Sequence, residues 1–236
     1  PFAERGTSKR GNMDFDEVVR TTFTCREFTG ESIPEKDLEK LLEQARFAPS
    51  GGNRQGWHVI AVRDAKLRQQ FSKWIHPTFQ LYLAQQQAGE SPWNSIIPTR
   101  VTAEEAKKID FSFPLLDSIE TVPVILVVAL DLSLVASFDK DHERVGVISG
   151  ASIYPFVWNL LLAARNSGYG GALTTFLVAG ESEVQEALNL PSHFSIAAMV
   201  PLGRPKKQLT KLKRKSVAEF ATWDTLDGTP IGKLES

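Results

Sequence analysis

Between Ile33 and Ala48 the apolar residues recur at helical spacing. Leu38, Leu41, Leu42, Ala45 and Ala48 fall on one face and charges fill the other, a period that predicts a helix opened by Pro34. Residues 122–130 follow another pattern, an apolar run broken only by Pro123, which predicts a strand buried on both faces. Shorter apolar runs predict strands over 57–62 and 195–200, the second ending at Gly203-Arg204-Pro205. Residues 14–20, with Asp14 as N-cap and Phe15, Val18 and Val19 spaced along one side, predict a short helix. The β-branched and aromatic segment 21–28 reads as extended. Further helices are expected from Asp64 through Ile75 and over 181–189. Residues 145–167 are apolar nearly all round, with Val147, Ile148, Ile153, Phe156, Val157, Leu160, Leu161, Leu162 and Ala163. That composition predicts one long helix, kinked at Pro155, central to a core or to a dimer interface. Gly168-Tyr169-Gly170-Gly171 stops it, and 172–176 resumes extended structure.

Residues 76–115 are the least periodic. A helix is readable over 80–87, but 89–98 carries Pro92, Trp93 and Pro98 and reads as loop. The stretch is expected to be an irregular insertion of the kind that lids an active site. Residues 1–13 are polar and basic and read as an arm, which leaves 14–236 as one domain. Helices and strands alternate without an internal repeat, so an α/β or α+β domain is expected.

Composition removes several function classes. A net charge of −1 argues against general nucleic-acid affinity, which depends on a large positive excess. The single cysteine, Cys25, excludes an internal disulfide and suits a reducing compartment. The polar first residues carry no secretory pattern and no apolar run is long enough to span a bilayer. A soluble cytoplasmic protein with no membrane partner is the expectation.

The four histidines, His58, His76, His142 and His193, lack metal-ligand spacing, so no metal site is expected. There is no Gly-x-Ser-x-Gly elbow and no phosphate loop of the Walker type. Gly168–Gly171 stand in the order helix, glycines, strand, the reverse of a dinucleotide fingerprint. Cys25 beside Arg26 reads as a small core residue more readily than as a reactive thiolate. No side-chain nucleophile comes with a base, so catalysis by this chain would need a cofactor. Two stretches offer places for one. Ala48-Pro49-Ser50-Gly51-Gly52-Asn53-Arg54-Gln55-Gly56-Trp57 is a helix-to-strand turn, or a surface of small side chains and free amides for something flat and polar. Lys206, Lys207, Lys211, Lys213, Arg214 and Lys215 form a solvated basic face or a phosphate grip.

Four separated pieces resemble the FMN-dependent nitroreductase family. Thr24-Cys25-Arg26-Glu27-Phe28 is similar to its N-terminal flavin-binding segment, and residues 48–57 to its helix-to-strand loop. Gly170-Gly171-Ala172-Leu173-Thr174-Thr175 resembles the segment facing the flavin edge. Pro201-Leu202-Gly203-Arg204-Pro205, with Leu212-Lys213-Arg214-Lys215, resembles its closing strand and phosphate-binding residues. The resemblance implies an α+β fold, a central, mostly antiparallel sheet surrounded by helices in an intertwined homodimer, with FMN at the subunit interface. It implies that Arg26 faces the N1–C2=O end of the flavin and stabilises its reduced anion, with Thr24 beside it. Pro49, Ser50 and Gly51 would pack on the ring from the partner subunit, with Asn53 near. Amides around Leu173, Thr174 and Thr175 would address N5 and O4, and Arg214 with Lys213 would hold the phosphate. Thr22 and Phe23 stand where the family carries two basic residues, so Arg20, Thr22 or the basic run would replace a phosphate contact. The implied activity is NAD(P)H-dependent reduction of a small aromatic electron acceptor, nitroaromatic or quinone, by ping-pong transfer through FMN. Reductive dehalogenation, flavin breakdown and non-catalytic flavin binding are the alternatives.

Overall fold

The computed structural model describes residues 13–232. All but the last residue of the expected N-terminal arm lies outside them. In chain order the elements are α1 (Phe15–Thr21), α2 (Glu35–Ala45), β1 (Trp57–Val62), α3 (Ala65–Gln87), α4 (Ala103–Ala106), α5 (Pro114–Asp117), β2 (Val124–Asp131), α6 (Tyr154–Asn166), β3 (Gly170–Gly171), α7 (Glu181–Ala187) and β4 (Phe194–Gly203), with short 3-10 turns between several of them. The strands form one sheet in the order β1-β2-β4-β3, every pair antiparallel. The fold is α+β, as the family resemblance implied.

β2 is buried along its whole length except at Asp131, because both faces of the sheet are covered. On one face Val124, Leu126, Val128 and Leu130 pack with Leu38 and Leu41 of α2 and Phe156, Val157 and Leu160 of α6. On the other, Ile125, Val127 and Ala129 pack with Phe71 and Ile75 of α3, Leu115 and Leu116 of α5 and Val184 of α7. The result is three layers, helix–sheet–helix, with β2 at the centre. The register slips between Val128 and Ala129, where Val128 faces Ala198 and Ala129 faces Ile196. Ala197 is the extra residue of this bulge, and its carbonyl accepts the Tyr154 hydroxyl at 3.3 Å.

Two helices differ from expectation, and proline explains both. Residues 145–167 are not one kinked helix: 148–152 form a separate 3-10 turn and α6 begins at Tyr154. Pro155 lies in the first turn of α6, where a missing N–H is not needed, and it starts the helix rather than bending it. Conversely, α3 does not end at Ile75 but runs 23 residues through Pro77. An interior proline costs about 3 kcal/mol, which burial of Phe71, Ile75 and Phe79 on the sheet outweighs at roughly 1.5–3 kcal/mol per large apolar side chain. The first part of the expected irregular insertion is therefore helical. Arg68 anchors this helix; its buried guanidinium donates to the carbonyls of Val122 and Arg63. Among the described residues no helix is long and apolar enough to cross a membrane.

Candidate functional site

The sheet's β3 edge assembles the first group of expected residues. Gly168 takes φ +77° just past α6, and the Tyr169 amide returns to the Ala164 carbonyl at 2.8 Å while Gly168 donates to Arg165 at 3.1 Å. This is the Schellman arrangement that glycine permits, and it turns the chain directly onto β4. Gly170 and Gly171 then pair with Gly203 and Leu202. A Cβ on Gly170 would sit 2.9 Å from the Cys25 Cβ, and one on Gly171 would sit 2.9 Å from both the Pro201 carbonyl oxygen and a Leu161 methyl. The two glycines thus allow the 24–26 segment to lie against the sheet edge. There the Cys25 amide donates to the Gly171 carbonyl at 2.9 Å, and Thr24 bridges Gly171 in parallel.

This pairing lays the 24–26 segment on the edge that continues along the chain into Leu173, Thr174 and Thr175. Thr174 bridges Met199, its amide donating to the Met199 carbonyl at 3.1 Å. Its amide is therefore committed to the sheet. Alternation along an edge turns the neighbouring amides outward, and among the described residues those of Leu173 and Thr175 have no hydrogen-bond partner. Arg26 is exposed, with its guanidinium carbon 5.6 Å from the centre of the Phe113 ring. Cys25 is 1% exposed and burial pushes its thiol up to about 11, so it is a core residue and not a thiolate.

Thr22 departs from its expected outward role. It is buried, and its hydroxyl donates to the Val18 carbonyl at 2.7 Å, closing the end of α1. The base that reaches this segment is Arg165, whose Nε donates to the Thr21 hydroxyl at 2.8 Å. No motif marks Arg165 in the sequence, although it is the one basic residue of α6. The basic run divides. The Lys206 amide zips onto the Glu27 carbonyl at 3.0 Å, and the Gln208 side chain donates to the Thr21 carbonyl at 3.0 Å. Lys213 and Arg214 lie beyond, exposed, and among the described residues Arg214 donates only to the Lys213 carbonyl.

The second group, Pro49, Ser50, Gly51 and Asn53, sits elsewhere. Gly52, Asn53 and Gln55 all take left-handed φ values of 60°, 53° and 52°, held by local bonds. The Ser50 hydroxyl accepts the Gln55 amide at 2.9 Å, and the Asn53 carboxamide oxygen accepts the Gln55 side chain at 3.2 Å. The Gly51 amide donates to the Ser152 hydroxyl at 3.1 Å. Ser152 belongs to the turn whose entry is fixed by Asp139, a buried carboxylate that accepts the amides of Val147 (2.7 Å) and Ile148 (3.3 Å), Arg144 (2.9 Å) and Ser137 (3.1 Å). These donors hold its carboxyl well below the usual range, the Val147 amide most strongly. Nothing in the sequence pattern singled out Asp139 or Ser152.

One chain does not bring the two groups together. Ser152 precedes α6, whereas Thr21 and Gly171 contact its last turns through Arg165 and Leu161. The 13 residues of α6 span about 20 Å. Strand register agrees: Trp57 pairs with Leu130 at one end of β2 on one edge of the sheet, while Gly171 is level with Val124 through Leu202 at the other end and the other edge. At about 3.3 Å per residue and 4.8 Å per strand, the separation is about 24 Å.

The sequence profile described as "Nitroreductase family" matches residues 19–204. An iodotyrosine deiodinase from Nematostella vectensis is 25% identical over 215 residues, 90% of this chain and 75% of that protein. A crystal structure of oxidized iodotyrosine deiodinase bound to FMN and 3-iodo-L-tyrosine superposes with a TM-score of 0.63 at 24% identity, covering 89% of this chain and 98% of that one. A BluB-like flavoprotein from Clostridium difficile 630 superposes at 0.66 with 20% identity, covering 90% and 100%. At these identities the two structures speak to the fold.

Proposed function

The chain belongs to the nitroreductase family, and from that premise we propose that it is an FMN-dependent oxidoreductase, a homodimer that uses NAD(P)H to reduce a small aromatic acceptor. The observation that carries this reading is the Cys25–Gly171 bond, which joins the segment carrying Arg26 to the sheet edge that continues into the unpaired amides of Leu173 and Thr175.

That edge fits the ring half of FMN, since two outward donors and one exposed cation suit the acceptor atoms of an isoalloxazine. Leu173 and Thr175 would orient the ring through their amides, and Thr24 would border it. Arg26 would hold negative charge at the N1–C2=O end, as a guanidinium keeps its charge at any working pH. Pro49, Ser50, Gly51 and Asn53 of the partner copy would complete the opposite wall, because within one chain they lie a helix length away. Lys213 and Arg214, exposed and without an acidic partner in the described contacts, would close on the phosphate. The bound flavin would supply the electron storage that no side chain here supplies. α6 supports the dimer: Tyr154 and Trp158, four residues apart on one helix, are aromatic and 41% and 43% exposed, a pair that a partner subunit would cover.

Purified protein is expected to be yellow and to bleach on anaerobic addition of NADPH or NADH. A colourless protein that gains no flavin spectrum with added FMN overturns the proposal. Reductive dehalogenation is the second reading, favoured by the iodotyrosine deiodinases that match about nine tenths of the chain. Halide release from an iodophenol by the reduced protein, with no turnover of nitroaromatics, would select it.

A further inference from the structure

The backbone around Arg26 is fixed, whereas its side chain is tied at one point only. On either side, the Cys25 amide donates to the Gly171 carbonyl and the Thr29 amide to the Arg204 carbonyl, both at 2.9 Å. The Glu27 carbonyl accepts the Lys206 amide at 3.0 Å. The Arg26 side chain is exposed and enters none of the ion pairs among the described residues. Without a hold, so long a side chain would sample many rotamers and spread its charge over them. The hold that the structure shows is the ring of Phe113, whose centre lies 5.6 Å from the guanidinium carbon, within reach of a cation–π contact.

Phe113 is itself anchored through both ring and backbone. Its ring meets that of Phe79 at 4.5 Å between centres, and Phe79 is buried in the layer that α3 forms on the sheet. Its carbonyl accepts the amides of Leu116 at 2.8 Å and Asp117 at 3.0 Å, which opens α5, and Leu115 and Leu116 are buried in the same layer. Pro114 follows it and favours the extended backbone that Phe113 adopts, with φ −135° and ψ 111°. The ring is therefore a fixed platform and the arginine the movable group. A carboxylate in this place would orient the guanidinium but cancel its charge. A phenyl ring orients it and leaves the charge available to a ligand.

Resting on the proposed flavin site, we propose that Phe113 is a positioning residue that holds the Arg26 guanidinium, un-neutralised, where negative charge develops on reduced FMN. The 76–115 segment thereby reaches the flavin through Arg26 and tunes its potential. A preorganised cation favours the reduced anion over the neutral oxidised ring, so loss of the hold costs the reduced form more.

Midpoint potentials of the FMN-loaded protein, measured as a double-mutant cycle, test this. Phe113→Leu is expected to weaken reduced FMN about two- to fivefold relative to oxidised FMN, the scale of an exposed cation–π contact. For a two-electron couple that lowers the potential by about 10–20 mV. Phe113→Met, which also lacks a ring face, should do the same, so that misfolding of one variant leaves the other to decide. Phe113→Tyr keeps the face and should keep the parent potential. In an Arg26→Ala background, Phe113→Leu should change nothing further. A folded, FMN-loaded Phe113→Leu or Phe113→Met protein at the parent potential overturns the proposal, as does an equal drop with and without Arg26. Those two results would leave the flavin site standing. Protein that takes up no FMN, or an Arg26→Ala variant at the parent potential, overturns the reading of the flavin site beneath this inference.

Discussion

Arg26 and Asp139 carry opposite charges and opposite kinds of work. Arg26 is exposed and would act on the charge of a bound ring. Arg26→Ala is expected to lower the midpoint potential of bound FMN by about 30–60 mV, the equivalent of one charged contact of about 1.5–3 kcal/mol for a two-electron couple. Photoreduction against a reference dye reads that shift, and an unchanged potential would remove Arg26 from the site. Asp139 instead fixes a loop. Its folded-state pKa is depressed, so its stabilising contribution is complete above the ordinary carboxylate range and is lost as pH falls through the depressed value. Asp139→Asn is expected to lower Tm at neutral pH and to converge with the parent as the solution is acidified; thermal melts across pH check it. Arg26 was legible because it sits in a recognisable short motif. Asp139, Ser152 and Arg165 were not, because no local period marks them: the Ser152 and Arg165 partners are 101 and 144 residues away in sequence, and Asp139 gathers donors 2 to 9 residues away in an irregular loop.

At the scale of elements, hydrophobic period found what packing later confirmed wherever a single rule governed. The 3.6-residue stripe from Leu38 to Ala48 and the unbroken run of β2 were readable because burial on one face or on two leaves distinct patterns. The pattern failed where proline has two meanings. Pro155 opens α6 and Pro77 is absorbed inside α3, and only the tertiary surroundings separate those cases. Gly170 and Gly171 were read as a helix stop, which describes Gly168 better; the later pair is there for close approach. Gly171→Ala is expected to cost about 1–3 kcal/mol by overpacking against Leu161 and Pro201, lowering Tm by about 2–12 °C. Because the clash lies where Thr24 bridges, FMN affinity should fall with it. Loss of stability without loss of flavin affinity would separate this edge from the cofactor.

For the whole molecule, alternation of helices and strands left α/β and α+β open and the family resemblance supplied the α+β choice, but neither showed the division of the site within one chain. Residues 49–53 and 24–26 belong to one site in the family pattern and to opposite ends of α6 in one chain. The proposed second copy would reconcile these facts, and the exposed Tyr154–Trp158 pair is where it would pack. Trp158→Glu is expected to yield a folded monomer that has lost FMN, as sedimentation and the visible spectrum would report; a dimer unaffected by that charge would move the interface elsewhere. Native mass spectrometry of the FMN-saturated protein tests the composite site most directly. A species of two chains with two FMN molecules is the expected result, whereas a single chain retaining FMN would contradict it.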